Sequence, residues 1–449
     1  MNKNITKMLI AVLLAVIIAF SSGCSKQRDY GEDFNLETDC QYSYYCGVGF
    51  WKRIQSDGVG QYILKNKYIY YYNTEKNTLT PLCNKANCLH DMETDESRLN
   101  DCNAYAPTDK TDAMEFIQYY DGYVYYVVND FENGSLYRVK KDGSQKDKIF
   151  TTDDKMSINN WLIHRGHLYY AILRYYYGED NSTKVYEKCV LKSLELSSNM
   201  SEKDAKVIFE SDEEHSVIGL GDLKAYKNYL CYQITANTND VEWTTTESWF
   251  GQLYMPTYIY NIETGENREI PVPEGYSKTT VIGGIVFMED KMLAKVADGV
   301  WDDEYKSPIY SMNYDLTDQK IWLDGVEKSK QVQPYDDYVV ISDAKLHYKT
   351  IEEEGIQQYV LKDDKPCTNV EIYSSDGELV SYFVYPMNKG FNGNFNGFGP
   401  DGVNVEFDED DNSWTVYKLN FKDVLNCHGE EVKLEKVSTR RFGPLHGVD

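Results

Sequence analysis

Residues 116–128, FIQYYDGYVYYVV, decide the reading of the fold. An apolar strand runs to Tyr120, Asp121-Gly122 forms a two-residue turn, and a tyrosine-rich strand leaves it. Such hairpin loops favour backbone with positive φ, which Gly and Asn adopt cheaply. The same unit stands at Tyr62–Tyr72 (YILKNKYIYYY) and Trp161–Leu173 (WLIHRGHLYYAIL), with weaker copies at Leu223–Ile234, Val281–Val296 and Tyr338–Ile351. The turn residues Asn66, Gly122, Gly166, Asn228, Asp290 and Asp343 lie 56, 44, 62, 62 and 53 residues apart. Several copies are followed by a third strand and another turn: LYRVKKDG (136–143), YIYNIETG (258–265), IYSMNYDL (309–316) and QYVLKDDK (358–365).

A three- or four-stranded antiparallel unit repeated at this interval is the pattern of a β-propeller blade, where the ring shields the strand edges. Six units plus a degenerate one over Tyr373–Val437 predict an all-β propeller of six to eight blades, with seven the best count. Separate β-sandwiches share the short strands, but not the hairpin with its turn-bearing third strand. Composition agrees, with 40 tyrosines, 30 glycines, 11 prolines and little helical periodicity after Cys24.

The N-terminus is of another kind. Lys3 and Lys7 precede an apolar run from Met8 to Phe20, too short to span a bilayer, and Ser21-Ser22-Gly23 lead to Cys24. This reads as a secretory signal peptide. Its end resembles the lipobox of bacterial lipoproteins, in which the cysteine is acylated and becomes the new N-terminus; Ser21 replaces the usual aliphatic residue. The expected organisation is a signal peptide over 1–23, a tether and N-terminal segment over 24–58, the propeller over 59–437 with an excursion at 83–105, and a tail over 438–449. The formal charge is −26 and falls to −28 without the two signal lysines. Such acidity opposes nucleic-acid binding, which needs Lys and Arg to neutralise phosphate.

The lipobox, the YIYYY and DGYVYY hairpins and the segment PLCNKANCLH…DCNAY (81–105) together resemble uncharacterised lipoproteins of Gram-positive, gut-type Firmicutes built as TolB-like propellers. That resemblance implies architecture and location: a chain held by its lipid at the outer side of the cell membrane. It implies no activity.

Cys83, Cys88, His90 and Cys102 follow the first repeat as C-x4-C-x-H-x11-C. Three thiols and an imidazole suit a closed tetrahedral structural zinc site. A Cys83–Cys88 disulfide across a turn, with Cys102 free or paired elsewhere, is the competing and first reading in an oxidising compartment, and free thiols are the third. Leaving out Cys24, nine cysteines remain, so at least one is unpaired; Cys40 and Cys46 are close enough to bridge a turn. Cys189 and Cys231 read as small buried hydrophobes, and Cys367 and Cys427 carry no local signature.

Trp243, Trp249, Phe250 and Tyr254, set among Thr, Ser and Glu in the insertion 237–256, suit a glycan- or peptide-binding surface, with capping of the propeller as the plain alternative. Trp301 is a second loop aromatic. Asp408, Asp410 and Asn412 begin like a calcium loop, but Ser413 and Leu419 replace its Gly and Glu, so they read as a hairpin turn. The segment NKGFNGNFNGFGPDG (388–402) reads as a mobile loop, and His164 and His167 as surface residues flanking a turn. No hydrolase elbow, zinc-protease helix or Asp-box is present. The functional expectation is a lipid-anchored extracytoplasmic module that binds or scaffolds a glycan, peptide or membrane-protein partner without catalysis of its own. The rival is a glycan-processing enzyme with carboxylates converging on the propeller channel.

Overall fold

The computed structural model describes residues 29–41, 54–108, 116–130, 133–153, 157–177, 184–211, 215–238, 253–276, 280–297, 306–327, 330–343, 348–353, 356–361, 367–386, 395, 397–409 and 412–445. The chain divides into two units, 1–33 and 34–449, and every element below belongs to the second.

The strands form seven blades. Blade 1 is β1 (Ile54–Ser56), β2 (Gly60–Lys65), β3 (Tyr68–Asn73) and β4 (Thr78–Pro81). Blade 2 is β5 (Ile117–Tyr120), β6 (Tyr123–Asn129), β7 (Gly134–Lys140) and β8 (Lys146–Thr151). Blade 3 is β9 (Ser157–His164), β10 (His167–Tyr177), β11 (Lys184–Glu195) and β12 (Lys206–Glu210). Blade 4 holds β13 (His215–Tyr226), β14 (Tyr229–Thr238), the short β15 (Leu253–Tyr254), β16 (Thr257–Asn261) and β17 (Asn267–Glu269). Blade 5 is β18 (Val281–Phe287), β19 (Met292–Ala297), β20 (Lys306–Met312) and β21 (Lys320–Glu327). Blade 6 begins with β22 (Gln331–Tyr335) and β23 (Tyr338–Ser342). A two-stranded ribbon of β24 (Tyr348–Glu353) and β25 (Ile356–Leu361) follows, before β26 (Cys367–Ser374) and β27 (Leu379–Pro386) complete the blade. Blade 7 is β28 (Val403–Glu409), β29 (Ser413–Asn420) and β31 (Glu435–Arg441); between the last two, β30 (His428–Glu431) lies parallel on β27 of blade 6.

The first strands neighbour one another in order, β1 with β5, β5 with β9, β9 with β13, β13 with β18 and β18 with β22, so they line the axis. Apolar clusters fill the gaps between consecutive blades. Phe150, Trp161 and Tyr170 join blades 2 and 3, Leu162, Leu191 and Tyr232 join blades 3 and 4, and Phe383, Phe395, Phe398 and Phe421 join blades 6 and 7. Side-chain amides add directional ties. Gln118 of blade 2 pairs through its amide with both backbone groups of Ile163 in blade 3, and Asn129 does the same with Ile158. Asn160 and Gln233 each donate to a backbone carbonyl of the following blade, Leu220 and Ile282. Buried amides satisfied in this way fix the angle at which one blade meets the next.

The expected seven-bladed propeller is present, and Asp121 with Gly122 and Arg165 with Gly166 have the positive φ expected of their turns. Several readings need correction. The Asn66-Lys67 turn joins the second and third strands of blade 1, whereas the turns of blades 2–5 join the first and second. In blade 6 the hairpin turns at Asp336-Asp337 and not at Asp343. Residues 358–361 belong to the ribbon with β24 and are not the third strand, which is β26; an alternating apolar pattern shows that a segment is a strand but not which strand it pairs with. As a result the last blade starts at Val403, and Tyr373 lies in blade 6. The described part of the glycine-rich stretch is not a mobile loop, because Phe395 and Phe398 are fully buried in the cluster between blades 6 and 7.

Candidate metal centre

After β4 the chain leaves the sheet, passes Cys83 and Cys88, and makes two short 3-10 turns, His90–Met92 and Glu96–Asp101, before Cys102. A bridge between Tyr68 and Tyr105 returns it to blade 1. Cys83, Cys88 and Cys102 are free thiols. Their three sulfurs and an imidazole nitrogen of His90 all lie within 4.8 Å of one another, and Cys102 Sγ is 3.6 Å from His90 Nδ1. Zinc–sulfur and zinc–nitrogen bonds of about 2.3 and 2.0 Å in a tetrahedron imply an S···N edge of about 3.5 Å and S···S edges of about 3.8 Å. A contraction of at most about 1 Å at the widest pair would bring the set to ligating distance.

The surroundings favour a thiolate at Cys83 and oppose one at Cys102. Burial raises the Cys83 thiol pKa, but backbone donors at Lys85 and Asn103 and the thiols of Cys88 and Cys102 outweigh it, leaving it below the ordinary value. Burial, then the neighbouring Cys83, pushes Cys102 well up. Burial lowers His90, which keeps its imidazole neutral and its lone pair available to a metal. Three thiolates and one neutral imidazole around a divalent ion carry a net charge of −1. Lys146 sits close by to offset it, with Nζ donating to the carbonyls of Cys102 (2.7 Å) and Tyr105 (3.3 Å). Blade 2 packs directly on the first ligand. Asn103 Nδ2 donates to the Gly143 carbonyl (2.8 Å), and a Cβ added at Gly143 would lie 2.8 Å from Cys83 Cα. The set offers four potential protein ligands, a number that would leave no open position, which is the pattern of a structural metal and not of a hydrolytic one.

The other sequence candidates fall differently. Cys24, Cys46, Trp243, Trp249, Phe250 and Trp301 lie outside the described residues, and Tyr254 is placed only as the β15 residue paired with Ala236. Cys189 and Cys231 are buried, as expected. His164 is not a surface residue. It is fully buried, accepting from Cys40 N–H at Nδ1 (3.1 Å) and approaching the Lys227 carbonyl with Nε2 (2.6 Å).

Sequence reasoning missed what buries it. Thr38, Asp39, Cys40 and Gln41 are inaccessible and cross the ring's turn-bearing end. Glu37 O accepts from Asp121 N–H, Thr38 O accepts from Arg165 N–H, and Gln41 bonds both backbone groups of Ser56. Arg165 at the blade 3 turn pairs with Asp39, while Tyr119 donates to Glu37. The local hint was the apolar Phe34, Leu36 and Cys40 set among the acids of the tether.

No protein-family model matches the chain, and no curated protein does. Among solved structures it is similar to a manganese-bound oligogalacturonate lyase, with a TM-score of 0.49 and 10% identity over 86% of this chain and 89% of that one. The tricorn protease gives 0.45 and 9% over 90% of this chain and 36% of that one. TolB from Acinetobacter baumannii gives 0.31 and 11% over 82% and 76%. Such distant likeness assigns no chemistry.

Proposed function

We propose that the protein is an extracytoplasmic β-propeller, tethered to the cell membrane by acylation of Cys24, that binds or scaffolds a glycan, peptide or membrane-protein partner and is stapled by zinc at Cys83, Cys88, His90 and Cys102. This fits the Gram-positive lipoproteins that the sequence resembles. The observation that supports it most is the closed Cys3His set, whose ligands leave no coordination position for a substrate. Zinc would bind by displacing the three thiol protons to solvent.

Among the described residues, the carboxylates Glu37, Asp39, Asp57 and Asp401 favour binding over glycan hydrolysis. Asp39 is paired with Arg165 and Glu37 accepts from Tyr119. Asp57 accepts from Tyr62, and Asp401 from Ser56 and Gln61. A glycosidase needs two carboxyl groups presented to its substrate, and these four already serve the chain itself. The partner surface is assigned to the aromatic insertion with Trp243, Trp249, Phe250 and Tyr254 and to Trp301, whose rings among polar neighbours suit a sugar or a peptide.

Metal analysis of protein purified without added metal tests the staple. About one zinc per chain, lost in Cys88→Ser, is expected, whereas a Cys83–Cys88 bridge with no metal overturns it. Labelled palmitate tests the anchor: label in the wild type and none in Cys24→Ala is expected, and equal labelling overturns it.

A further inference from the structure

Among the described residues, no strand is shared between the ends of this ring. Blade 1 is built from β1–β4 and blade 7 from β28, β29 and β31, so closure falls to side chains. Tyr70 and Trp414 meet edge to face at 5.0 Å, and Asp401 accepts from Ser56 (3.0 Å) and Gln61 (3.0 Å). The charged contact is between Arg440 of β31 and Asp91. Nη2 lies 2.9 and 2.7 Å from the two carboxylate oxygens, Nε lies 3.2 Å from one of them, and Tyr70 OH donates to the same carboxylate at 3.0 Å. The chain just past β31 presses on the same point, since a Cβ at Gly443 would overlap the Asp91 carbonyl oxygen.

Asp91 does not belong to a blade strand. It sits in the three-residue turn His90–Met92, which has no side-chain cap. His90 itself has φ +53°, a region that costs a non-glycine residue energy. The apolar neighbours do not hold the turn down, because Leu89 is 49% exposed and Met92 52%. His90 is a member of the Cys3His set. We infer that the metal centre is the clasp of the ring: ligated His90 fixes the turn that presents Asp91 to Arg440, so loading the centre locks blade 7 onto blade 1 and emptying it releases blade 7. The ligand is a divalent, thiophilic cation such as zinc, and the inference rests on the zinc reading above.

Hydrogen exchange of the full chain tests this in zinc-loaded and chelated protein and in Asp91→Asn, which keeps all four ligands. Chelation is expected to speed exchange at the β31 amides at least tenfold. Asp91→Asn is expected to do the same while retaining about one zinc per chain. Zinc that binds and leaves with no change in β31 exchange overturns the clasp alone. Protein that takes up no zinc overturns the zinc reading and the clasp with it.

Discussion

Arg165, on the tight turn of blade 3, holds Asp39 of the N-terminal segment in a two-point ion pair, Nε to Oδ1 at 3.0 Å and Nη2 to Oδ2 at 3.3 Å, across 126 residues of chain. The two side chains are 3% and 0% exposed. Together with the Asn228 oxygen on Arg165 Nη1, the pair ties the segment to two adjacent blades.

Removing one partner leaves the other charge buried. Arg165→Leu or Asp39→Asn is expected to cost about 3–5 kcal/mol, and the double variant less than the sum, because a removed pair leaves no orphan charge. Denaturant midpoints of the three variants check this. Additive losses would show that the residues act separately.

His164 makes stability depend on pH. Burial disfavours its charged form, and although Asp39 opposes this the pKa falls from 6.5 to about 4. Between those values the unfolded chain binds a proton that the native chain does not. The contribution is therefore complete above pH 6.5 and is lost as pH falls toward 4, by about 3 kcal/mol. Unfolding free energies at pH 7, 5.5 and 4 are expected to fall in that order for the wild type and less steeply for His164→Asn.

Trp414 is 1% exposed and packs on Tyr70 and Phe407. Trp414→Ala is expected to cost about 3–5 kcal/mol, while Leu379→Ala, at a site 52% exposed, stays within about 0.5 kcal/mol of the wild type. Equal losses would contradict the closure described.

Gly143 has φ +70°, and its missing Cβ leaves room for the Cys83 backbone. Gly143→Ala is expected to destabilise by more than about 1 kcal/mol and to weaken zinc retention against a chelator by displacing Cys83. Unchanged retention would show that the blade 2 turn does not position the first ligand.

Repeated hairpins were legible because turn chemistry and strand alternation are local, as at Asp121-Gly122 and Arg165-Gly166. The Cys3His set was legible too, since its ligands fall within twenty residues. The strand phase of blade 1 and the ribbon 348–361 were not, because alternation leaves the pairing partner open. Nor could His164 be seen as buried, or Asp91 as the partner of Arg440, since each depends on a segment more than a hundred residues away. Such contacts leave no mark on neighbouring residues.

X-ray absorption at the zinc edge on the loaded protein tests the centre most directly. The account predicts three sulfur scatterers at about 2.3 Å and one nitrogen at about 2.0 Å, with one sulfur lost in Cys102→Ser. A shell dominated by oxygen or nitrogen, or one unchanged in that variant, would contradict it.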